Sequence, residues 1–126
     1  MKISLLAAVA AGGAAGSVLR YLLGIGAHSM LGRGFPWGTL LVNAIGAFAV
    51  GLLYALLIER NAAAPLWRAL FLTGLLGGFT TFSAFSLETL LLHDQGETFR
   101  AALNIFLNVA LCLAFAWLGL NLMRQI

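Results

Sequence analysis

Thr39 and Asn43 stand four residues apart, and so do Asn104 and Asn108, each pair set in an otherwise apolar stretch. On a helix that spacing puts both members on one face, and it separates the two asparagines of the second pair by about 6 Å along the axis. Between the pairs lies a third polar stretch, Gly77-Gly78-Phe79-Thr80-Thr81-Phe82-Ser83-Ala84-Phe85-Ser86. Together these segments offer hydroxyls at Thr80, Thr81, Ser83 and Ser86 and amides at Asn43, Asn104 and Asn108. The set contains no carboxylate: Glu59, Asp94 and Glu97 fall in or beside loops, and Glu88 falls near the end of its stretch. A cation pathway or a proton relay within an apolar span calls for an acid there. A small anion calls for neutral donors without fixed negative charge, and phenylalanine ring edges add the positive end of a quadrupole. Each feature alone has a plainer reading. Asparagine joins helices, Ser and Thr bond back to their own helix, and Phe82 and Phe85 could simply pack. Only the combination points to an anion.

The elements that must position these groups follow from composition. Of 126 residues, 62% are hydrophobic and 9% charged, against roughly a quarter charged in a soluble domain; the mean hydropathy is +1.01. So few charges exclude a soluble enzyme, a nucleic-acid-binding module and a disordered tail. The net charge of +3 rests on 7 scattered Lys and Arg, which form no stripe for phosphates. The 15 glycines suit helices that approach closely. Cys112 permits no intrachain disulfide and reads as a small buried apolar residue. Spans of about 20 apolar residues fall at 3–31 (interrupted by Arg20), 39–58, 66–92 and 101–123. The expected architecture is an all-α, single four-helix transmembrane domain over residues 1–126. Lys2 followed by Ile3–Ala11 imitates a secretory signal peptide; three further spans and the apolar sequence resuming after Arg20 argue against that reading.

Two questions stay open at this level. Gly74-Leu75-Leu76-Gly77-Gly78 followed by Thr80-Thr81 is a poor continuous helix, because glycine costs about 1 kcal/mol in a helix interior and threonine crowds it. Either the third span breaks near Gly77–Thr81 and frees carbonyls at membrane depth, which requires burial or a cavity, or glycine only notches it for close packing. Four spans place Lys2, Arg60, Arg68 and Arg124 on one side and Arg33, Arg100 and Arg20 on the other. That tally is nearly flat, and orientation normally follows Lys and Arg bias. The chain is either weakly oriented or inserts both ways and pairs head-to-tail.

Three strings carry a resemblance to a known family: Gly12-Gly13-Ala14-Ala15-Gly16-Ser17-Val18-Leu19-Arg20-Tyr21, Gly38-Thr39-Leu40-Leu41-Val42-Asn43, and Gly74-Leu75-Leu76-Gly77-Gly78-Phe79-Thr80-Thr81-Phe82-Ser83-Ala84-Phe85-Ser86. In order, content and four-span plan the chain resembles the Fluc (CrcB) fluoride channels over its whole length. The resemblance implies a dual-topology, antiparallel homodimer in the lipid bilayer, expected in a bacterial cytoplasmic membrane, that exports fluoride passively and relieves fluoride toxicity. It implies two pores per dimer, each lined by both subunits. Asn43 would be the pore amide, Phe82 and Phe85 the aromatic pair, and Thr39 and Ser83 part of a polar track. Asn104 and Asn108 would lie on the pore side of the fourth helix, and Arg20 near the aqueous vestibule. A structural sodium ion at the dimer centre would be held by the backbone carbonyls of Gly77 and Thr80. Ala84 departs from the threonine frequent in the family, and the fourth-helix asparagines stand where some members carry Tyr and Ser.

Other classes fit less well. A small multidrug-type transporter needs an acid in the first span, and residues 3–31 contain no Asp or Glu. A non-transporting scaffold would need no donor-lined face. An intramembrane enzyme could take Ser83 or Ser86 as nucleophile, but His28 and His93 lie near span ends with no acid to orient them. The chain is therefore not expected to be an enzyme.

Overall fold

The computed structural model describes residues 2–126. Four helices are long and apolar enough to cross a membrane: α1 (Ile3–Leu31), α2 (Trp37–Glu59), α3 (Pro65–Asp94) and α4 (Thr98–Gln125). The last three run slightly beyond the spans expected from hydropathy, because interfacial residues such as Trp37, Pro65 and Thr98 continue the backbone hydrogen bonding past the apolar stretch. Pro65 sits in the first turn of α3, where its missing N–H is no loss. Gly32 and Gly96 carry the left-handed φ of 83° that closes α1 and the turn after α3.

The interior is built from small and polar residues. The largest fully buried side chains are Val42 and Asn104, while Leu22, Leu113 and Trp117 face outward. Lipid tails are as apolar as leucine, so helices associate here by close backbone approach and internal hydrogen bonds. Gly12 and Gly16 of α1 meet the backbone of Leu70 and Leu75, and a Cβ on Gly78 would stand 2.5 Å from the carbonyl oxygen of Gly13. Gly51 of α2 and Gly119 of α4 meet the backbones of Ala116 and Phe48 in the same way. Two tight pairs result, the first half of α3 on α1, and α2 on α4.

Thr80 (φ −85°, ψ 156°) and Thr81 (φ −149°, ψ 124°) have extended backbone within α3. Before them, Ala69–Leu76 winds more widely than an α-helix; after them, Phe82–Asp94 leaves α1 and packs on α4. Thr81 starts this second half with its hydroxyl accepting from the Ala84 N–H at 3.2 Å, an N-cap that satisfies one orphan donor. At one end of the bundle, the Arg124 guanidinium pairs with Glu59 at 2.9 Å and Arg60 donates to the Met123 carbonyl, tying α2 to α4. At the other end, Arg100 donates to the Gly34 carbonyl at 3.0 Å.

Candidate functional site

Asn43 of α2 faces the extended residues of α3. Its Oδ1 accepts from the Thr81 N–H at 2.8 Å, and its Nδ2 donates to the Thr81 carbonyl at 2.9 Å. One amide side chain thus pairs with both the N–H and the C=O of one residue, as a neighbouring β-strand would. This pairing compensates the backbone groups that an extended segment leaves without helical partners. The second Nδ2 hydrogen of Asn43 goes to Oδ1 of Asn108 on α4, at 3.1 Å. Exchanging the oxygen and nitrogen of Asn43 would set donor against donor and acceptor against acceptor at Thr81, so the amide orientation is fixed by its partners.

Behind Asn43 the hydrogen bonding continues. Asn108 Nδ2 donates to the Asn104 carbonyl at 2.9 Å and to its Oδ1 at 3.0 Å. Asn104 Nδ2 donates to the Thr89 hydroxyl at 2.9 Å, and Thr89 donates to the Phe85 carbonyl at 2.7 Å. Asn104 is 0% exposed and Asn108 6%.

Two cavities flank this region. A groove of about 540 Å³ is lined by Asn43, Gly77, Thr80, Phe82, Phe85 and Asn108, among others. Phe82 is 78% exposed on it and Phe85 only 8%, with ring centroids 5.3 Å apart and planes tilted by 52°. A Cβ on Gly77 would meet nothing within 4 Å, so this glycine also faces the open groove. A second cavity of about 290 Å³ lies on the other side of Thr81, between Arg20, Thr39 and Glu88. Here Thr39 donates to Glu88 Oε1 at 2.8 Å, and Arg20 Nε donates to the Gly78 carbonyl at 3.0 Å. Ser83 is exposed, with its hydroxyl 3.3 Å from that of Thr81.

The residues singled out in the sequence are thus divided. Asn43, Gly77, Thr80, Phe82, Phe85 and Asn108 share one groove; Arg20 and Thr39 share the other cavity; Asn104 stands behind Asn108; Ser83 lies beside Thr81. Two further residues join the polar region. Glu88, which the sequence places near the end of its span, accepts from Thr39, so one carboxylate borders the polar region as an acceptor. Its Oε2 is buried without a hydrogen-bond partner among the described residues. The spacing Thr81, Ala84, Glu88 is the helical signal that places it on the Thr81 face. Thr89 is four residues beyond Phe85 and shares its face for the same reason.

The carbonyls beside the extended residues are the natural place to test a cation. The usual helical donor to the Gly77 carbonyl is the Thr81 N–H, which is engaged by Asn43. The usual donor to the Thr80 carbonyl is the Ala84 N–H, which is engaged by the Thr81 hydroxyl. Both oxygens therefore lack their usual helical donor, and carbonyls freed in this way are chemically able to serve as ligands to a cation.

Comparisons with known proteins place the chain in a family. The family model described as CrcB-like protein, Camphor Resistance (CrcB), matches residues 7–120. A relative from Methylococcus capsulatus named Fluoride-specific ion channel FluC is 48% identical over 126 residues, covering 100% of this chain and 55% of that protein. One of the same name from Shewanella amazonensis is 54% identical over 114 residues, covering 90% of this chain and 91% of that protein. A third, from Geobacter sulfurreducens, is 48% identical over 119 residues, covering 94% and 96%. The chain thus spans about half the length of the Methylococcus protein and nearly all of the other two. Four apolar helices around a shared polar groove, matched from Ala7 to Leu120, make this chain a multi-pass membrane protein of the CrcB family.

Proposed function

We propose that this chain is a fluoride-selective channel that lets fluoride leave the cell passively. The observation that carries the reading is the groove itself: a phenylalanine pair and the Asn43 amide converge on one apolar-walled trough at the level of Thr80–Thr81. The relatives named for fluoride support the choice of ion. Fluoride is small and strongly hydrated, so a narrow dry path must replace its water with close donors. Amide and hydroxyl hydrogens and ring edges do this without a fixed cation that would trap the ion. In this reading Asn43, Phe82 and Phe85 solvate fluoride, Thr39 and Ser83 extend the polar track, and Arg20 attracts the anion into its vestibule. The pore conducts down the electrochemical gradient, with no catalytic residue.

The working unit is an antiparallel, dual-topology homodimer. The exposure of Phe82 and the open face of Gly77 support it, since a second copy would cover both. The third helix acts as a broken helix in this assembly. Gly77 and Thr80 from both chains would hold one sodium ion through their carbonyls; the bound cation supplies positive charge that links the two breaks. Fluoride efflux from liposomes containing the purified protein tests the function, with chloride as the control. Rapid fluoride loss with chloride retained is expected. Fluoride retention equal to that of empty liposomes would overturn the reading.

A further inference from the structure

All the hydrogen bonds behind Asn43 point the same way. Donation runs from Asn43 Nδ2 to Asn108, from Asn108 to Asn104, from Asn104 to Thr89, and from Thr89 to the Phe85 carbonyl. Such a head-to-tail run polarises its members, so each acceptor is strengthened by the bond it donates onward. Asn43 itself has no idle hydrogen. Two of its three bonds hold the N–H and the C=O of Thr81 at 2.8 and 2.9 Å, and the third, to Asn108, is the longest at 3.1 Å. Asn108 has no idle hydrogen either, because both of its amide hydrogens are directed at Asn104. Both Asn43 and Asn108 border the groove, so an anion there can compete for the hydrogen between them.

We propose that Asn108 is a positioning residue whose Oδ1 is the resident acceptor for Asn43, and that a passing fluoride takes this one hydrogen bond over and then returns it. The inference rests on the channel reading above. An amide left without an acceptor in the groove would bind fluoride too firmly, since an orphaned buried donor is costly and fluoride would relieve that cost. With Asn108 waiting, fluoride replaces an existing bond, and its departure leaves no orphan. Binding is then favourable yet weak enough for conduction. Thr89 anchors the far end of the run and orients Asn104, which orients Asn108.

The test uses full-length protein in liposomes. Thr89→Ser keeps the hydroxyl and should match wild type. Thr89→Val keeps the volume and loses the hydroxyl; its maximal fluoride efflux and its half-saturating fluoride concentration should both fall about fivefold, the worth of one hydrogen bond. A Thr89 that only supports the fold would lower dimer recovery in Val, because Asn104 loses its acceptor, without lowering the half-saturating concentration; that outcome, wild-type kinetics in Thr89→Val, or equal losses in both variants would overturn the proposal. A second measurement needs only wild-type protein labelled with ¹⁵N-asparagine, which reports Asn43, Asn61, Asn104, Asn108 and Asn121. Fluoride titration should shift the side-chain signals of Asn43 and Asn108 with one midpoint and leave Asn61 and Asn121 in place. Movement of Asn43 without Asn108 would also overturn the exchange. An absence of fluoride flux in wild type would refute the channel itself, whereas normal flux with these outcomes would refute only the exchange.

Discussion

Phe82 and Phe85 differ in burial within one chain, and that difference separates solvation from packing. Phe85 is buried, whereas Phe82 lies open on the groove with its ring tilted against Phe85. If both only fill space, Phe→Leu keeps an apolar, nearly filled site and most activity. If their edges solvate fluoride, Leu removes a partner that a dry pore cannot replace. The expected result is a fall in efflux of at least about a hundredfold for either variant, equivalent to a few kcal/mol, with dimer recovery on size exclusion unchanged. Asn43→Leu should lose flux at least as strongly. It also releases the backbone N–H and C=O of Thr81, so its dimer recovery should fall, which distinguishes it from the two phenylalanine variants.

At the scale of elements, adjacent glycines have opposite roles. Gly78 lies in the α1–α3 crossing, where a Cβ would stand 2.5 Å from the Gly13 carbonyl oxygen and 3.1 Å from the Ser17 hydroxyl. Backbone cannot yield as a flexible side chain can. Gly78→Ala should therefore destabilise the subunit by about 1–3 kcal/mol, seen as a lower midpoint on heating in detergent. Gly77 has open space inside its own chain. Gly77→Val should leave the subunit folded and weaken dimer recovery instead, because only a second copy would meet the new side chain. Equal thermal losses in both would contradict this division.

For the whole molecule, topology and assembly are the decisive quantities. The Arg20 guanidinium is directed at the Gly78 carbonyl inside the bundle. Lys2, Arg60, Arg68 and Arg124 then stand against Arg33 and Arg100 at the other end. The tally widens from four against three to four against two once Arg20 is set inside, so the direction of insertion has to be measured. Single cysteines placed beside Arg60, in protein lacking Cys112, should be labelled from both faces of intact membranes; labelling from one face only would exclude dual topology. Two or three lysines added beside Arg60 should bias insertion and lower activity, and co-expression with an oppositely biased chain should restore it. If Gly77 and Thr80 of two copies hold sodium as proposed, replacing sodium by a large organic cation during purification should lower dimer recovery. Unchanged recovery would remove sodium from the assembly.

Hydropathy by itself determines the four spans of this protein, because a backbone in lipid must pair its own polar groups and only a long apolar helix does so at every position. Fixed spacing likewise determines that Thr39 shares a face with Asn43, and Asn104 with Asn108. The family strings carry the resemblance that the match over residues 7–120 bears out. Tertiary structure alone decides what these polar groups touch. No spacing within α2 indicates that Asn43 brackets Thr81 in α3, or that its remaining hydrogen goes to Asn108 in α4. Glu88 reads as a span-end acid along the sequence, yet the crossing of α2 and α3 brings Thr39 to it. The physical reason is common to these cases. Apolarity and helical period are local properties, whereas a hydrogen bond between helices depends on how closely glycines such as Gly12, Gly16 and Gly78 let the backbones approach.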